Sequence, residues 1–430
     1  MIQIYRFLTN LIYPIIILLI FFRKLKKKED NKRFKEKIFL SSFNIKKDQK
    51  KKLIWFHAAS IGEFKSILPI ISRLNEERKD LEFLITTVTL SSGNLASEEL
   101  KRFNNVQHRF FPVDVDFIIK NFIKMWKPMA IFLVDSEIWP NLITNANKFK
   151  IPLAILNARI TSKSYKKWSL VLPVAKEIFK NFSLCLSSNK ETEKHLHKLN
   201  AKNIFHVGNI KLINENEITK DEIGSIESVQ SRKKYWCAIS THDEEEKFCL
   251  NVHLKLREKN QNISIIIAPR HLERVSQIKE LSNQLKLTAQ VLNKDNIINE
   301  KSDVIIINSF GNLKKFIKFS KSAFVGKSLL SKFKDKGGQN PLDAVKVGCK
   351  IYHGPFVDNF SEIYKTLEIN DISKEINNEG ELINFLVKDF KEDHKDINKY
   401  SSLIDKLSQK TLNDTMRYVN KFLLNETYKT

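Results

Sequence analysis

The chain has 430 residues, of which 42% are hydrophobic and 28% are charged, a globular composition long enough for two domains that each bury a core. Its four cysteines are scattered and form no C-x-x-C pair, which argues against a disulfide framework or a zinc site and favours a reducing compartment. The formal net charge of +24 indicates an acidic partner, such as nucleic acid, anionic lipid or a phosphorylated substrate. Nucleic acid is not expected, because the chain lacks the interleaved basic and aromatic pattern of the common nucleic-acid-binding modules.

The N-terminus carries the longest apolar stretch, Ile4–Phe22, which at 19 residues is just long enough to cross a bilayer core. We expect residues 1–22 to form a membrane anchor helix. Because Arg6 and Asn10 interrupt the stretch, a helix lying in the plane of the inner leaflet is the alternative. A cleavable signal peptide is not favoured, since most of the charge follows the apolar run and no small-residue cleavage site comes after it.

A basic segment, residues 23–52, follows the apolar stretch and contains 14 Lys or Arg residues against 4 Asp or Glu residues. The positive-inside rule places this segment and the rest of the chain on the cytoplasmic side of the inner membrane. We expect the segment to lie against anionic headgroups, where each basic side chain contributes about 1 kcal/mol of binding free energy. A solvated charged linker without a role in lipid binding is the alternative.

From Leu53 onward, apolar runs of strand length alternate with amphipathic stretches of helix length. This alternation predicts an α/β fold with a doubly wound parallel sheet in each of two Rossmann-like domains and a cleft between the domains. In the first half we predict strands at 53–57, 81–87, 106–112, 130–134, 153–156 and 184–186, and helices at 63–78, 91–103, 114–126, 140–149, 170–180 and 190–199. In the second half we predict strands at 235–239, 263–268, 289–292, 304–307, 323–325 and 350–353.

The boundary between the two halves is predicted near residues 208–223, where the alternation breaks into polar residues. We therefore expect an N-terminal domain over residues 53–210 and a C-terminal domain over residues 211–390. A polar helical tail over residues 391–430 is expected to pack back across the domains.

The sequence His57-Ala58-Ala59-Ser60-Ile61-Gly62-Glu63 joins the first predicted strand to its helix. It places the carboxylate of Glu63 at the carboxyl end of a parallel strand, where open α/β sheets bind their ligands, so Glu63 is a candidate catalytic base. The spacing Ser60-x-x-Glu63 is also that of a capping box, in which both residues satisfy amides at the helix start. Both interpretations remain open from these residues.

Other polar clusters also follow predicted strands directly, at residues 135–137, 240–245 and 270–271. Polar clusters at one edge of both sheets are typical of a substrate site. Each cluster has a simpler interpretation. The acids at 135–137 can cap the helix that starts at Pro140, the spacing within 241–244 is that of a capping box, and 270–271 can be an ordinary surface pair.

Residues 337–344, Gly-Gly-Gln-Asn-Pro-Leu-Asp-Ala, give the clearest candidate anion site. Two glycines allow the backbone to approach a ligand, and a new helix would point its first amides at a phosphate. An ordinary capped helix is the alternative. The pair Asp114 and Asp116 is interpreted as a helix start rather than as a metal site.

Taken in this order, the motifs resemble those of the bacterial 3-deoxy-D-manno-octulosonic acid (Kdo) transferases. The resemblance covers almost the whole chain, and it is specific because many short motifs occur in one order. It includes the apolar N-terminus with its basic residues and the following motifs: His57-Ala58-Ala59-Ser60-Ile61-Gly62-Glu63, Ser136-Glu137-Ile138-Trp139-Pro140-Asn141, Asn157-Ala158-Arg159, Gly208-Asn209-Ile210-Lys211, Ser240-Thr241-His242, Ala268-Pro269-Arg270-His271-Leu272-Glu273-Arg274, Gly337-Gly338-Gln339-Asn340-Pro341-Leu342, Gly354-Pro355 and Asn359-Phe360.

The resemblance implies a GT-B fold and an inverting glycosyltransferase that moves Kdo from CMP-Kdo to a lipid A precursor in lipopolysaccharide core biosynthesis, without a metal or other cofactor. It implies that Glu63 is the general base and that Asp135 and Lys211 stabilise charge in the transition state. The implied nucleotide-binding residues are Arg270, His271, Phe310, Gly311, Asn312, Asn340, Pro341, Leu342 and Asp343. The implied acceptor-binding residues are Ser60, Gly62, Ser136 and Glu137.

The chain departs from the family pattern at several of these positions. It has Asp135 and Asp343 where the family usually has Glu, Asn312 where it has an acidic residue, and Gln339 where it has His. Two alternative functions therefore stay open. One is a GT-B enzyme that uses another sugar donor or lipid acceptor, and the other is a catalytically silent GT-B protein that binds anionic lipid.

Overall fold

The structure is a computed structural model that describes residues 2–43, 45–213, 233–259, 262–293, 298–309, 313–392 and 397–425. The chain divides into two compact units. Unit 1 consists of Met1–Asn216 and Leu407–Thr430, and unit 2 consists of Glu217–Lys406. Each unit contains a seven-stranded sheet whose neighbouring strands all run parallel, which confirms the predicted α/β class.

In unit 1 the strands lie in the order β3-β2-β1-β4-β5-β6-β7. They are β1 (Lys52–His57), β2 (Leu81–Thr87), β3 (Val106–Phe110), β4 (Ala130–Val134), β5 (Leu153–Ala158), β6 (Leu184–Ser187) and β7 (Ile204–His206). The helices are α1 (Ile2–Leu11), α2 (Tyr13–Leu25), α3 (Ile61–Glu77), α4 (Leu90–Glu99), α5 (Asp116–Trp126), α6 (Pro140–Lys148), α7 (Ser162–Ser169), α8 (Leu172–Phe179) and α9 (Lys190–Lys198).

In unit 2 the strands lie in the order β10-β11-β9-β8-β12-β13-β14. They are β8 (Lys234–Thr241), β9 (Ile263–Pro269), β10 (Ala289–Leu292), β11 (Val304–Ile307), β12 (Ser320–Val325), β13 (Lys350–His353) and β14 (Ser373–Glu375). The described helices are α10 (Glu245–Lys259), α11 (Val275–Gln284), α12 (Leu313–Ile317), α13 (Leu342–Lys346), α14 (Ser361–Ile369), α15 (Glu379–Lys391) and the first part of α16 (Ile397–Leu423).

The sheet of unit 1 is buried on both faces, so its strands read as nearly continuous apolar runs. Strand β1 sends Ile54 and Phe56 to one face and Leu53 and Trp55 to the other, and all four side chains are buried. The first face packs against α3, α4 and the last part of α16, and the second face packs against α5, α6, α8 and α9. Burial on two faces is what a parallel sheet between helical layers requires.

The strand order reverses at the centre of each sheet. In unit 1 this switch point lies between β1 and β4, and in unit 2 it lies between β8 and β12. Ligands of open α/β sheets bind outside the carboxyl ends of the strands at such a point. Glu63 follows β1 and Asp135 follows β4, so both lie beside the switch point of unit 1.

Residues 2–25 do not form the single helix that we predicted over residues 1–22. They form α1 and α2, which are bent by 57° at the break between them. Pro14 lacks the amide that would continue the helical hydrogen bonds back to Asn10, which explains a break at this point. Within the described part of the chain no single helix is long and apolar enough to cross a bilayer. The bent pair of α1 and α2 reaches the required length and hydropathy when the two helices are counted together.

Helix α1 is attached to unit 1 through polar side chains. The Tyr5 hydroxyl donates to Asp114 at 3.1 Å, and Arg6 forms an ion pair with Asp116 at 3.2 Å. Thr9 Oγ1 accepts a hydrogen bond from Asn141 at 3.1 Å. Ile2, Tyr13 and Ile16 also pack against the core of unit 1, and Ile20 is buried. Other apolar side chains of this region are exposed: Ile4, Phe7, Leu8, Leu11, Ile12, Ile15, Leu18, Leu19, Phe21, Phe22 and Leu25.

The basic segment is part of the fold of unit 1 rather than a solvated linker. Phe34, Ile38 and Phe43 are fully buried. Lys37 is also buried, and its Nζ lies 2.5 Å from Oε2 of Glu29, so its charge is neutralised inside the protein. Lys37 is therefore not available to contact lipid headgroups.

Candidate active site

Glu63 lies in the first turn of α3, directly after the carboxyl end of β1. Ser60 is the N-cap residue, and its Oγ accepts the Glu63 amide at 3.4 Å. The Glu63 carboxylate folds back over the turn: Oε2 accepts the Ala59 amide at 2.8 Å, and Oε1 accepts the Ser60 hydroxyl at 2.7 Å. The capping interpretation is thus correct in kind, but the amide that Glu63 satisfies belongs to Ala59 and not to Ser60.

A cap and a base are compatible roles for Glu63. An ionised carboxylate offers about four lone-pair positions, and the two hydrogen bonds to Ala59 and Ser60 use two of them. The side chain remains partly exposed. The neighbouring Gly62 is exposed, and a Cβ added there would meet no atom within 4 Å. The backbone at the start of α3 is therefore accessible to a substrate.

Asp135 comes directly after β4 with a left-handed backbone, at φ = 64°. Asp and Asn adopt this conformation more easily than most side chains. The Asp135 side chain is only 5% exposed, and its Oδ2 lies 2.5 Å from Nζ of Lys211. Its Oδ1 accepts the Ser136 hydroxyl at 2.9 Å. The structure therefore brings together two of the predicted catalytic residues, Asp135 and Lys211.

Lys211 is held by residues that the sequence prediction did not include as site residues. It lies in a short 3₁₀ helix over Ile210–Leu212, whose N-cap Asn209 accepts the Lys211 amide at 3.0 Å. Asn157 lies near the carboxyl end of β5 with φ = 53°, and its buried Oδ1 accepts the Ile210 amide at 3.0 Å. Asn157 therefore connects the end of a central strand to the turn that carries Lys211.

Glu137 lies two residues after Asp135 and shares the same strand end. Its Oε2 lies 3.2 Å from Nε2 of the buried His57 and accepts the Trp139 indole N–H at 2.8 Å. Neither Asp135 nor Glu137 caps α6. The first amides of α6, at Asn141 and Leu142, are accepted by Asp114 at 3.0 and 2.9 Å, so the helix-cap interpretation of the acids at 135–137 is wrong.

The charges around Glu63 act on it in opposite directions. Burial raises the pKa of Glu63 above its ordinary value, and the hydrogen bond from Ser60 opposes that effect. The negative charges of Asp135 and Glu137 raise the pKa further, while the positive charge of Lys211 lowers it. A carboxylate with a raised pKa is a stronger base, which is the property that proton abstraction requires.

In unit 2, Arg270 and His271 follow β9 and are exposed. The Arg270 amide donates to the Thr241 carbonyl at 3.0 Å, which fixes the ends of β8 and β9 side by side. His242 follows β8, and its ring centroid lies 5.4 Å from that of His271. Burial lowers the pKa of His242 to about 4, and the positive charges of His271, Lys327, Arg270 and Lys332 act in the same direction. This concentration of positive charge suits an anionic ligand.

Glu245 holds the loop that follows β12. Its carboxylate is fully buried and accepts four backbone amides at 2.7 to 3.1 Å, those of His242, Lys327, Ser328 and Leu329. The capping contact at this helix start is thus made by Glu245 and not within residues 241–244. Glu245 joins the loops after β8 and β12, the two strands that flank the switch point of unit 2.

The predicted anion site at residues 337–344 differs in detail from the expectation. Helix α13 has only five residues, and Pro341 occupies its N-cap position rather than its first turn. Asn340 accepts the Leu342 amide at 3.1 Å. Gly337 is required sterically, because a Cβ there would lie 2.2 Å from the Phe356 carbonyl oxygen. So short a helix contributes little macrodipole, and any anion binding here depends on loop amides and side chains.

Comparison with known proteins identifies the family. A family model described as 3-deoxy-D-manno-octulosonic-acid transferase (kdotransferase) matches residues 32–214. The 3-deoxy-D-manno-octulosonic acid transferase of Rickettsia bellii is 30% identical over 389 residues, which are 90% of this chain and 90% of the relative. The Haemophilus influenzae enzyme of the same name is 29% identical over 320 residues, 73% of each chain. The chain belongs to the Kdo transferase family.

The fold of this Kdo transferase also has relatives among solved structures. A glycosyltransferase from Rickettsia africae ESF-5 superposes with a TM-score of 0.58 and 13% sequence identity. The superposition covers 88% of this chain and 100% of the Rickettsia africae chain. At that identity the likeness shows the fold alone. It is consistent with the GT-B fold that the family resemblance implied.

Three of the implied nucleotide-binding residues of the Kdo transferase, Phe310, Gly311 and Asn312, lie outside the described residues. In the part of the chain that the structure describes, no group of three or more His, Cys, Asp or Glu side chains is placed to hold a metal ion. The remaining implied site residues fall into two sets, one in unit 1 around Glu63 and one in unit 2 around Arg270.

Proposed function

We propose that this Kdo transferase moves Kdo from CMP-Kdo to a phosphorylated lipid A precursor in lipopolysaccharide biosynthesis, with Glu63 as the general base. The observation that carries the proposal is the cluster of Glu63, Asp135 and Lys211 beside the switch point of unit 1. In this cluster a base with a raised pKa adjoins a buried ion pair. The three residues are far apart in the sequence, and folding of unit 1 brings them together.

In the proposed reaction Glu63 takes the proton of the acceptor hydroxyl. The acceptor oxygen then forms a bond to the anomeric carbon of Kdo, the bond from that carbon to the CMP phosphate breaks, and CMP leaves with the electron pair. Attack from the face opposite the leaving group inverts the anomeric centre. One base suffices for this reaction, and Glu63 needs no covalent intermediate. No metal is required in this scheme.

In this proposal Asp135 fixes the position of the Lys211 ammonium group, and Lys211 stabilises negative charge in the transition state. Lys211 Nζ is fixed by Asp135 at 2.5 Å, and the backbone that carries it is fixed by Asn157 and Asn209. A preorganised ammonium can stabilise the negative charge that develops as the acceptor loses its proton. Ser60, Gly62, Ser136 and Glu137 border the same strand ends, and we assign them to the acceptor.

The donor belongs to unit 2 in this proposal. Arg270 supplies positive charge for the CMP phosphate and the Kdo carboxylate, and the neighbouring rings of His271 and His242 offer N–H donors to the same groups. The turn at Asn340, Pro341, Leu342 and Asp343 and the segment at Phe310, Gly311 and Asn312 complete the nucleotide site by the family resemblance.

We also propose that the protein lies on the cytoplasmic face of the inner membrane as a monotopic protein. Tyr5, Arg6 and Thr9 attach α1 to unit 1, and a spanning orientation would break those polar contacts. Many apolar side chains of α1 and α2 face outward, among them Phe7, which is 67% exposed, and Leu18, which is 68% exposed. Apolar side chains backed by basic residues fit an anionic leaflet, which would also present the lipid acceptor.

The experiment that tests the activity is incubation of the purified protein with CMP-Kdo and a tetra-acylated lipid A precursor, followed by mass spectrometry of the lipid. The proposal expects a product heavier by one or more Kdo residues. Transfer from another nucleotide sugar in a parallel donor screen, with none from CMP-Kdo, would support the alternative glycosyltransferase. Lipid binding without any transfer would support the silent GT-B protein.

A further inference from the structure

His57 ends β1 and is fully buried, yet it makes contacts toward the candidate active site. Its Nδ1 lies 3.0 Å from Oγ1 of Thr86 and 3.2 Å from the Thr86 carbonyl oxygen. Its Nε2 lies 3.2 Å from Oε2 of Glu137. The Phe111 ring stacks on the imidazole with centroids 3.9 Å apart, so both ring orientation and position are fixed by packing.

The hydrogen bonds around Thr86 determine which imidazole nitrogen carries the proton. The Trp55 indole N–H can only donate, and it donates to Thr86 Oγ1 at 2.9 Å. The single hydroxyl hydrogen of Thr86 is then free for an acceptor, and His57 Nδ1 at 3.0 Å is nearer than the Phe56 carbonyl at 3.4 Å. Nδ1 therefore accepts, and the ring proton lies on Nε2, where it can be donated to Glu137.

The other tautomer does not fit the contacts. With its proton on Nδ1, His57 could donate to the Thr86 carbonyl, but the lone pair of Nε2 would then face the Glu137 carboxylate at 3.2 Å. Two acceptors at that distance repel one another. Of the two neutral tautomers, the one with its proton on Nε2, in which donors run from Trp55 through Thr86 and His57 to Glu137, is the one that every contact tolerates.

The Glu137 carboxylate is held by one oxygen only. Both His57 Nε2 and Trp139 Nε1 contact Oε2, at 3.2 and 2.8 Å. Among the described residues, Oε1 has no hydrogen-bond donor, and the side chain is 18% exposed. The carboxylate is thus fixed in orientation while its second oxygen keeps all of its capacity to accept hydrogen bonds.

We propose that His57 is a positioning residue that, through the Trp55–Thr86 donor chain and together with Trp139, aims Oε1 of Glu137 at a hydroxyl group of the acceptor sugar. This inference rests on the proposed function and adds a determinant of acceptor recognition to it. The acceptor hydroxyl donates to Oε1, so the contact selects a polyhydroxylated lipid headgroup over one that lacks a donor at that position. A bound hydroxyl also orients the acceptor beside Glu63.

The decisive variants separate hydrogen bonding from packing. His57→Phe removes both nitrogens but keeps a ring to stack on Phe111. His57→Gln retains a side-chain N–H donor near the position of Nε2. Thr86→Val removes the hydroxyl that sets the tautomer, while the Thr86 carbonyl position remains. Steady-state kinetics with CMP-Kdo and the tetra-acylated lipid A precursor would give KM for each substrate and kcat.

One control variant measures the cost of disturbing the core. His253→Phe changes another fully buried histidine, which accepts an indole N–H from Trp236 at 3.3 Å in unit 2. Thermal melting of every variant would show that it is folded.

The proposal expects His57→Phe and Thr86→Val to raise the acceptor KM by about tenfold or more, with the CMP-Kdo KM within about twofold of wild type. His57→Gln should restore most of the acceptor affinity, and the His253→Phe control should leave the acceptor KM unchanged. Equal impairment of His57→Gln and His57→Phe, or an unchanged acceptor KM in Thr86→Val, would overturn it. A wild-type protein that transfers no Kdo would instead refute the proposed function.

Discussion

Lys211 Nζ lies 2.5 Å from Oδ2 of Asp135, although the two residues are 76 positions apart in the chain. The contact forms because β4 and β5 are neighbours in the sheet. Asp135 follows β4, and Asn157, near the carboxyl end of β5, accepts the amide of Ile210 beside Lys211. A charged pair is thereby fixed next to Glu63 and shifts its pKa.

The pH dependence of the reaction should report this arrangement. A general base acts in its ionised form, so kcat/KM should rise with pH through a value above the ordinary glutamate pKa of about 4.5. Lys211 lowers the pKa of Glu63, so Lys211→Met should move the rising limb to higher pH. Glu137 raises it, so Glu137→Gln should move the limb to lower pH. Shifts of the same sign in both variants would contradict the electrostatic account.

Replacing Asp135 by Asn removes the negative charge of the side chain without adding backbone strain. Asn tolerates a left-handed backbone about as well as Asp, so Asp135→Asn should fold normally at φ = 64° while losing the ion pair to Lys211. We expect kcat to fall by about 10²–10³-fold with a nearly unchanged melting temperature. Asp135→Glu restores the usual family residue, and it should change the rate only modestly. Wild-type kinetics for Asp135→Asn would remove this residue from the mechanism.

The buried carboxylate of Glu245 should matter more for the donor than for the acceptor. In Glu245→Gln, the new NH₂ group faces two of the four backbone amides, and each unsatisfied amide costs about 1–3 kcal/mol. We expect a lower melting temperature and a raised KM for CMP-Kdo. Glu244→Gln is the matched control, because Glu244 is exposed and forms a surface ion pair with Lys332. Equal effects of the two substitutions would contradict the role of Glu245.

The outward face of α1 and α2 should determine membrane binding. Burial of one Phe or Leu side chain contributes about 1.5–3 kcal/mol, so Phe7→Asp with Leu18→Asp should greatly weaken co-sedimentation with anionic vesicles. Ile369→Asp is the control, because Ile369 is 76% exposed but lies in unit 2. Vesicle binding that is equal in the double variant and the control would exclude α1 and α2 as the membrane contact.

Much of the fold could be predicted from the alternation of apolar and amphipathic segments. Strands such as β2 and β11 have the predicted bounds, because a parallel strand buried on both faces is a continuous apolar run. The edge strands β7 and β14 were missed, since each has only three residues. β14 has no apolar residue, and the two apolar residues of β7, Ile204 and Phe205, are too short a run to predict a strand. Helix α7 was missed as well, because none of its residues is buried and so it shows no apolar stripe.

The sequence predicted which residues belong to part of the candidate site, but it did not predict the contacts between them. Strand ends indicated Glu63 and Asp135, since polar residues after buried strands meet at one sheet edge. The sequence did not indicate that Asp114 caps α6 or that Asn157 supports Lys211, because both contacts join segments far apart in the chain. Asn157 directly follows the strand predicted at 153–156, and an Asn at that position is the local sequence signal that could have found the second contact.

The central claim, that Glu63 is the base of Kdo transfer, is tested most directly by comparing the wild-type protein with Glu63→Gln. Mass spectrometry would follow the lipid product formed from CMP-Kdo and the tetra-acylated lipid A precursor. Gln keeps an oxygen for the Ala59 amide, so the variant should fold and bind CMP-Kdo as wild type does. We predict Kdo addition by the wild type and a rate lower by about 10²–10⁴-fold in Glu63→Gln. Transfer by Glu63→Gln at close to the wild-type rate would contradict the claim and leave Glu63 as a helix cap.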